Sequence, residues 1–394
     1  MEDETLLLNP GPVVLHPTVK EALSKSMISH RMVEFEDVYK RVRAGIRHVY
    51  TNSRYDGEPA DWDGEVFFLN STATLGMDAA VANFTEPDDR VLALINGHFG
   101  RRFAQIAERQ CKVDEYAIPW GESFDVDAVR DEILEGGYDL VTMIHTETST
   151  GIRNPIGEVG EAVAQTDGLF VVDGVSSIGG ERIHPKEWGI DISVVDAQKA
   201  LAASPGVCGV FLSQKALDRL DSDQTYFYAD LHRHRERALK ENQTPFTSAV
   251  SLFYGLEAAV DRIQEIGMEE WLSTYERRAS AWEAAASAMG FELFGNPTGS
   301  TDFANTVTAI ELPEPVKANP DPFFEGLRDR NVFVGGGHAH LSGEVFRLGT
   351  MGNLSSHDME QGLRAIADSL ADCGVDVDRD GGVTVLRETL ESSV

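Results

Sequence analysis

Cysteine is nearly absent. The 394-residue chain has three, Cys111, Cys208 and Cys373. They are far apart, odd in number and without CxxC spacing, so they are read as buried apolar residues in a reducing compartment. No HExxH or similar cluster suggests a metal site. No apolar run reaches the roughly 18 residues of a membrane span. The first residues, Met1-Glu-Asp-Glu-Thr, lack the basic flank of a signal peptide. A cytoplasmic protein without a membrane partner is expected. Positive charge is also scarce: 34 Lys+Arg face 65 Asp+Glu, a net charge of −31. Nucleic acid, whose phosphates would be repelled, is excluded as a partner. Lysine in particular is used sparingly, and no internal repeat or low-complexity linker is visible.

The chain does have ample apolar content, 42%, which argues for a folded protein despite the charge. Its length suggests two or three domains. The acid is spread along the chain rather than gathered in a tail. A carboxylate-rich, lysine-poor surface repels itself at low ionic strength and is relieved by salt. That suits a salt-loving organism; a generic acidic protein is the plainer alternative.

From about residue 66 to 212, short apolar runs alternate with amphipathic stretches. Strands are expected at 66–69, 91–95, 140–144, 169–172, 192–195 and 207–212. Helices are expected at 72–84, 101–109, 127–135 (closed by Gly136-Gly137) and 158–165. Such alternation predicts a mostly parallel sheet covered by helices on both faces, with ligands beyond the carboxyl ends of its strands. After about residue 245 the pattern changes. Long helices are expected at 247–266 and 271–289, and strands at 291–294, 306–312, 332–334 and 345–348. Two helices fall among them, near 322–330 and 356–370. This reads as a smaller α+β domain. The tail from about Arg379 is left open between strand, short helix and disorder.

Two residues organise the chemistry. Asp173 ends the apolar run Gly168-Leu-Phe-Val-Val, and Lys199 follows the run Ile192-Ser-Val-Val195. A lone lysine is most often a solvated surface residue, and an aspartate after a strand is commonly a turn or cap residue. Lys199, however, precedes Ala200-Leu-Ala-Ala-Ser-Pro-Gly206, small residues that would let a bulky cofactor approach. An amine at one strand end and a carboxylate at the next is what pyridoxal 5'-phosphate requires. The amine condenses with the cofactor aldehyde, and the carboxylate keeps the pyridine nitrogen protonated. Val175 could pack under a ring face. Asn70-Ser-Thr-Ala-Thr-Leu-Gly76 follows a strand and opens a helix, where backbone N–H and hydroxyl groups can receive a phosphate; plain capping by Ser71 or Thr72 is the alternative. Phe99, between a strand and a helix, could stack on an aromatic cofactor or simply fill the core. Arg347 interrupts an apolar strand. It could hold a substrate carboxylate as a fork, or pair with an internal acid.

Taken together, these residues resemble the class V aminotransferases of the pyridoxal-phosphate fold-type I superfamily, and within them the alanine–glyoxylate and serine–pyruvate aminotransferase group. The resemblance starts at Leu8-Asn-Pro-Gly-Pro12, Ser29-His-Arg31 and Glu34-Phe35. It runs through Glu147-Thr-Ser-Thr-Gly151, Asp173-Gly-Val-Ser-Ser177 and Gln198-Lys-Ala-Leu201. It ends with Thr244-Pro-Phe-Thr247 and Phe346-Arg-Leu-Gly349. It implies an α/β protein with three parts: an N-terminal segment, 1–20, lining the site; a large cofactor domain, 21–265, with a mostly parallel sheet flanked by helices; and a smaller C-terminal α+β domain, 266–394. It also implies a homodimer with shared active sites. By position, Lys199 and Asp173 would be catalytic. Thr72, Ala73, Thr74 and Gln198 would meet the phosphate, Phe99 and Val175 the two ring faces, and Thr148 the ring hydroxyl side. Thr244 and Thr247 would reach the neighbouring subunit's cofactor. Arg347 would bind the substrate carboxylate, with Asn9 and Gly11 at the mouth.

The sequence departs from the family in three places. The phosphate turn lacks the usual glycine and histidine. Asp196 stands where small neutral residues are usual. The stretch Gly335-Gly-Gly-His-Ala-His-Leu341 is unusually rich in histidine. The resemblance implies ping-pong amino transfer from a small amino acid, alanine or serine, to glyoxylate or pyruvate. A cysteine desulfurase or lyase of the same class, and a non-catalytic dimeric scaffold, are the rivals.

Overall fold

The apolar runs become the strands of one seven-stranded sheet. In the computed structural model, which describes residues 5–54, 61, 63–222 and 226–392, these are β1 Glu65–Leu69, β2 Arg90–Ile95, β3 Lys112–Ala117, β4 Leu140–Ile144, β5 Leu169–Asp173, β6 Ile192–Asp196 and β7 Cys208–Leu212. Their spatial order is β1-β7-β6-β5-β4-β2-β3. The pairs β2–β3, β2–β4, β4–β5 and β5–β6 are parallel. Only β7 runs against its neighbours, β1 and β6. Every residue of β4, β5, β6 and β7 is buried. These strands are covered on both faces, which is why they read as continuous Val/Ile/Leu runs rather than alternating ones.

Strand β3 was not expected. Its sequence, Lys-Val-Asp-Glu-Tyr-Ala, is largely exposed and lies at the sheet edge. Charge there conceals the strand from an apolar-run search and protects the edge from further pairing. The expected helices appear at Ala73–Ala82, His98–Ala107, Val126–Gly136 and Ile156–Val163. Two earlier helices, Pro17–Leu23 and Val33–Asn52, had no sequence assignment. The second packs on Val250–Ile266, with Phe35 and Tyr39 against the ring of Phe253 at 5.4 and 5.7 Å.

A second, antiparallel sheet is formed by β8 Val307–Glu311, β9 Gly335–Gly336 and β10 Val345–Gly349. Its core includes Ile310, Phe346, Leu348, Met359 and Ile366. The strand expected at 291–294 reduces to a single bridge, Leu293 to Ile310. Gly290 and Gly295, at φ +84° and +101°, bracket a segment too short to extend a ladder. Its first amide is also drawn back to Ala286 O at 2.9 Å. The tail folds as a helix, Arg379–Glu391, capped by Asp378. One continuous helix, Met268–Ala288, serves both cores: Trp271, Leu272 and Tyr275 lie in the larger, Trp282, Ala285 and Ala286 in the smaller.

Candidate active site

Strands β1, β2, β4, β5 and β6 run in one direction, so their carboxyl ends share an edge. The turn Asn70–Thr74 leaves β1, Asn96–Phe99 leaves β2, Thr148 lies just past β4, Asp173 ends β5, and Lys199 follows β6. The parallel topology thus gathers residues that are far apart in the chain.

Lys199 opens a short 3-10 turn, Lys199–Leu201. Its φ is +61°, and that of Ala202 is +57°. Left-handed backbone in non-glycine residues costs energy and concentrates at functional sites. The Lys199 amine donates to Ser176 Oγ at 2.6 Å and Thr148 Oγ1 at 3.4 Å. These two hydroxyls are also bonded to each other. The ring centroid of Phe99 lies 5.5 Å from the amine. Burial lowers the amine's pKa, against the opposing pull of Asp173 and Asp196.

Asp173 is buried, and its Oδ1 accepts from Val175 N at 2.8 Å. The turn role is therefore real, but it uses one oxygen. Among the described residues no cation is bonded to the carboxylate, and burial pushes its pKa up to about 6. A buried carboxylate without a cation is costly unless one arrives with a ligand.

The turn after β1 is not capped as a simple reading of Ser71 or Thr72 would have it. Thr72 stands at the N-cap of Ala73–Ala82 without a side-chain cap bond. The Ala73 N–H instead donates to Asp196 Oδ2 at 3.0 Å, and Asp196 Oδ1 accepts from Gln198 N at 3.2 Å. Asp196 is thus turned toward backbone amides. Thr72 and Thr74 are exposed. Asn70 holds the turn to the 244–249 segment: its Nδ2 donates to Thr247 O and its Oδ1 accepts from Ala249 N, both at 3.0 Å. Thr247 is exposed beside this turn. Thr244 is buried, with its hydroxyl spent inside its own loop on Phe246 O and Ser248 Oγ.

Arg347, on β10, is 5% exposed. Its Nη1 donates to Thr148 O at 2.8 Å, its Nε and Nη2 to Gly336 O at 2.9 and 2.7 Å, and its Nη2 faces His338 Nε2 at 3.1 Å. All these acceptors are uncharged. The internal acid that would have made Arg347 merely structural is not in ion-pair contact. Burial brings the guanidinium down to about 10. His338 stacks on His98 at 4.7 Å between centroids, and His340 packs on Trp120 at 4.3 Å. Burial, then Arg347, brings His338 down to about 4, so both ring nitrogens are free of extra charge at neutral pH.

Sequence reasoning assigned no role to Ser176, Glu147 or Asn70. Glu147 is fully buried and accepts from Phe99 N, Gly100 N and Ser149 N, fixing the entry to His98–Ala107. A run of small and hydroxyl residues at strand ends was the available signal for Ser176 and Glu147; their partners lie too far along the chain to be paired by spacing. At the mouth, Asn9 Nδ2 donates to Gly11 O at 2.5 Å. A Cβ on Gly11 would lie 3.2 Å from Lys199 Cγ, and its φ is +140°, so this position requires glycine.

These residues fit pyridoxal phosphate. Among the described residues the amine is bonded to hydroxyls alone, and no cation is hydrogen-bonded to the neighbouring carboxylate. Ser71 Oγ and Gln198 Oε1 are buried without hydrogen-bond partners. Such orphaned atoms call for a ligand or water. Lys199 would hold the aldehyde end, Asp173 the ring nitrogen, and the 71–74 turn with Gln198 the phosphate.

The family profile described as aminotransferase class V matches residues 18–341. An uncharacterized aminotransferase of Methanocaldococcus jannaschii is 34% identical over 392 residues, covering 98% of this chain and 97% of the relative. The L-aspartate–glyoxylate aminotransferase of Paracoccus denitrificans is 30% identical over 398 residues, with 98% and 96% covered. The crystal structure of ureidoglycine–glyoxylate aminotransferase from Bacillus subtilis superposes with a TM-score of 0.91 at 25% identity, covering 100% of this chain and 99% of that one. With an amine and an acid at adjacent strand ends and the family profile over most of its length, the chain belongs to the class V aminotransferases, pyridoxal-phosphate-dependent transaminases of fold type I.

Proposed function

We propose that the chain moves an amino group from a small amino acid, alanine or serine, to glyoxylate or pyruvate in two half-reactions. The observation that carries this reading is Arg347, a buried cation near Lys199 whose hydrogen-bond partners are uncharged. A substrate carboxylate would supply the missing anion in a bidentate pair. Two relatives named for glyoxylate support that acceptor.

Bound pyridoxal phosphate supplies an electron sink that makes the α-proton of an amino acid acidic. Lys199 Nζ, with its pKa lowered by burial, takes that proton and returns it as the amino group changes hands. Ser176 and Thr148 hold the amine in place through the intervals when it is free. Asp173 would keep a proton on the ring nitrogen, Phe99 and Val175 would pack against the ring, and Arg347 would orient the substrate by its carboxylate. Asn9 and Gly11 close the mouth, and the exposed Thr247, on the loop that Thr244 braces from within, would reach the cofactor of a second subunit in a homodimer. The acidic surface fits a cytoplasm rich in salt. A desulfurase is not favoured: Cys208 is buried at the start of β7, Cys111 sits in the turn before edge strand β3, and Cys373 caps the Ser356–Asp372 helix.

Incubating the purified enzyme with a panel of amino acids, aspartate included, against glyoxylate, pyruvate and 2-oxoglutarate at several salt concentrations tests the substrates. Alanine or serine with glyoxylate or pyruvate is expected to give the highest kcat/KM; a preference for aspartate or 2-oxoglutarate would overturn the assignment. Borohydride reduction followed by peptide mapping is expected to place the cofactor on Lys199.

A further inference from the structure

The Ala73–Ala82 helix has one N-terminus, and two anions claim it. Helix N-termini bind anions because their first N–H groups have no partner within the helix and the dipole favours negative charge. Here the Ala73 N–H is already committed to the Asp196 carboxylate at 3.0 Å. The same carboxylate takes the Gln198 N–H at 3.2 Å, so it ties the turn to the strand end that carries Lys199. Neither Ser71 nor Thr72 performs that capping, and Ser71 Oγ is left buried and unpartnered in the turn. The groups around Asp196 are Lys199 on its own segment, Asp173 on the neighbouring strand and the thiol of Cys208 on the other side. Only the lysine is a cation, and its amine is directed to Ser176 and Thr148.

We propose that Asp196 is a positioning residue that holds the phosphate turn in shape at the expense of phosphate affinity. It takes the place of the glycine and histidine this turn lacks. It also occupies a backbone donor and sets a negative charge beside the seat, leaving the phosphate to the hydroxyls of Ser71, Thr72 and Thr74 and to Gln198. This rests on the reading that the 71–74 turn seats the phosphate.

The test compares Asp196→Asn with Thr74→Ala in the full-length apo protein. Inorganic phosphate binding is measured by calorimetry, and binding of pyridoxal phosphate and of pyridoxal, which has no phosphate, by absorbance titration. The asparagine removes the charge and can accept from only one of the two N–H groups, Ala73 or Gln198, that the carboxylate holds. At low salt it is expected to tighten inorganic phosphate and pyridoxal phosphate about tenfold and leave pyridoxal unchanged. Thr74→Ala is expected to weaken the two phosphate ligands. If Thr74→Ala weakens them while Asp196→Asn binds within twofold of wild type, or more weakly, the role of Asp196 is overturned and the seat stands. If Thr74→Ala leaves both unchanged, the seat itself is misassigned. A melting curve matching wild type confirms that the Asp196→Asn variant is folded.

Discussion

Replacing Asp173 with asparagine is expected to stabilise the apo protein while destroying its activity. The Asp173 carboxyl is buried, and burial moves its pKa from 3.8 to about 6. A pKa higher in the folded state means that folding favours the protonated form. Below about pH 4 both folded and unfolded chains carry the proton, and the position imposes no penalty. Between about pH 4 and 6 the unfolded chain releases the proton more readily, so stability falls as pH rises. Above about pH 6 the full penalty applies, about 3 kcal/mol. Asparagine cannot ionise, and its side-chain oxygen can still accept from Val175 N–H. Chemical denaturation of the two apo proteins should therefore show the variant about 3 kcal/mol more stable near pH 7.5, with the gap closing toward pH 4. Glu181 and Glu283 are also pushed up to about 7, so the wild-type curve alone does not isolate Asp173, whereas the difference between the curves does. Adding pyridoxal phosphate should reverse the order, because a protonated ring nitrogen gives the wild-type carboxylate its cation. A gap that does not change with pH, or a wild type that is the more stable near pH 7.5, would refute the reasoning. The acid needed for turnover would then be no burden to the empty fold, contrary to the usual opposition of stability and function.

Arg347→Met should raise KM for amino and 2-oxo acids by about a hundredfold or more, since it removes a charge-assisted fork worth about 3 kcal/mol or more; an unchanged KM would remove Arg347 from substrate binding. His338→Gln keeps an acceptor for the Arg347 Nη2 and should leave KM near wild type, whereas His338→Ala strands that donor at a cost of about 1–3 kcal/mol and should raise KM with little change in kcat. Equal KM values for the two variants would show that His338 does not orient the arginine. Lys199→Ala should abolish turnover with the melting profile retained, and full activity without added amine would reject it as the proton carrier. Raising NaCl from about 0.1 M to about 1 M should raise the melting temperature by screening the −31 net charge; a flat or falling response would argue against a salt-adapted surface.

Much of this was legible from one dimension because the signals are local. Strands buried on both faces must be apolar along their whole length, so β4, β5, β6 and β7 announce themselves. Asp173 and Lys199 stand where those runs stop. Edge strand β3 was not legible, because an edge is polar for a tertiary reason. The segment at 291–294 misled because two left-handed glycines confine it to a single bridge with β8. Residues such as Ser176, Glu147 and Asn70 could be seen in motifs, but their bonds to Lys199, to the Phe99 amide and to the 247–249 backbone span many residues in sequence.

By itself, the order of residues determined the alternating architecture, the acid–amine pair and the arginine set into an apolar strand, because each depends on neighbours within a few positions. Only the folded chain decided that Asp196 is bonded to the Ala73 and Gln198 amides, that the hydrogen-bond partners of Arg347 are uncharged among the described residues, and that His98 and His338 stack on each other. Those outcomes depend on which strand ends share an edge and on how the second sheet packs against it. Sheet order and long-range packing set them, and residue spacing does not encode either.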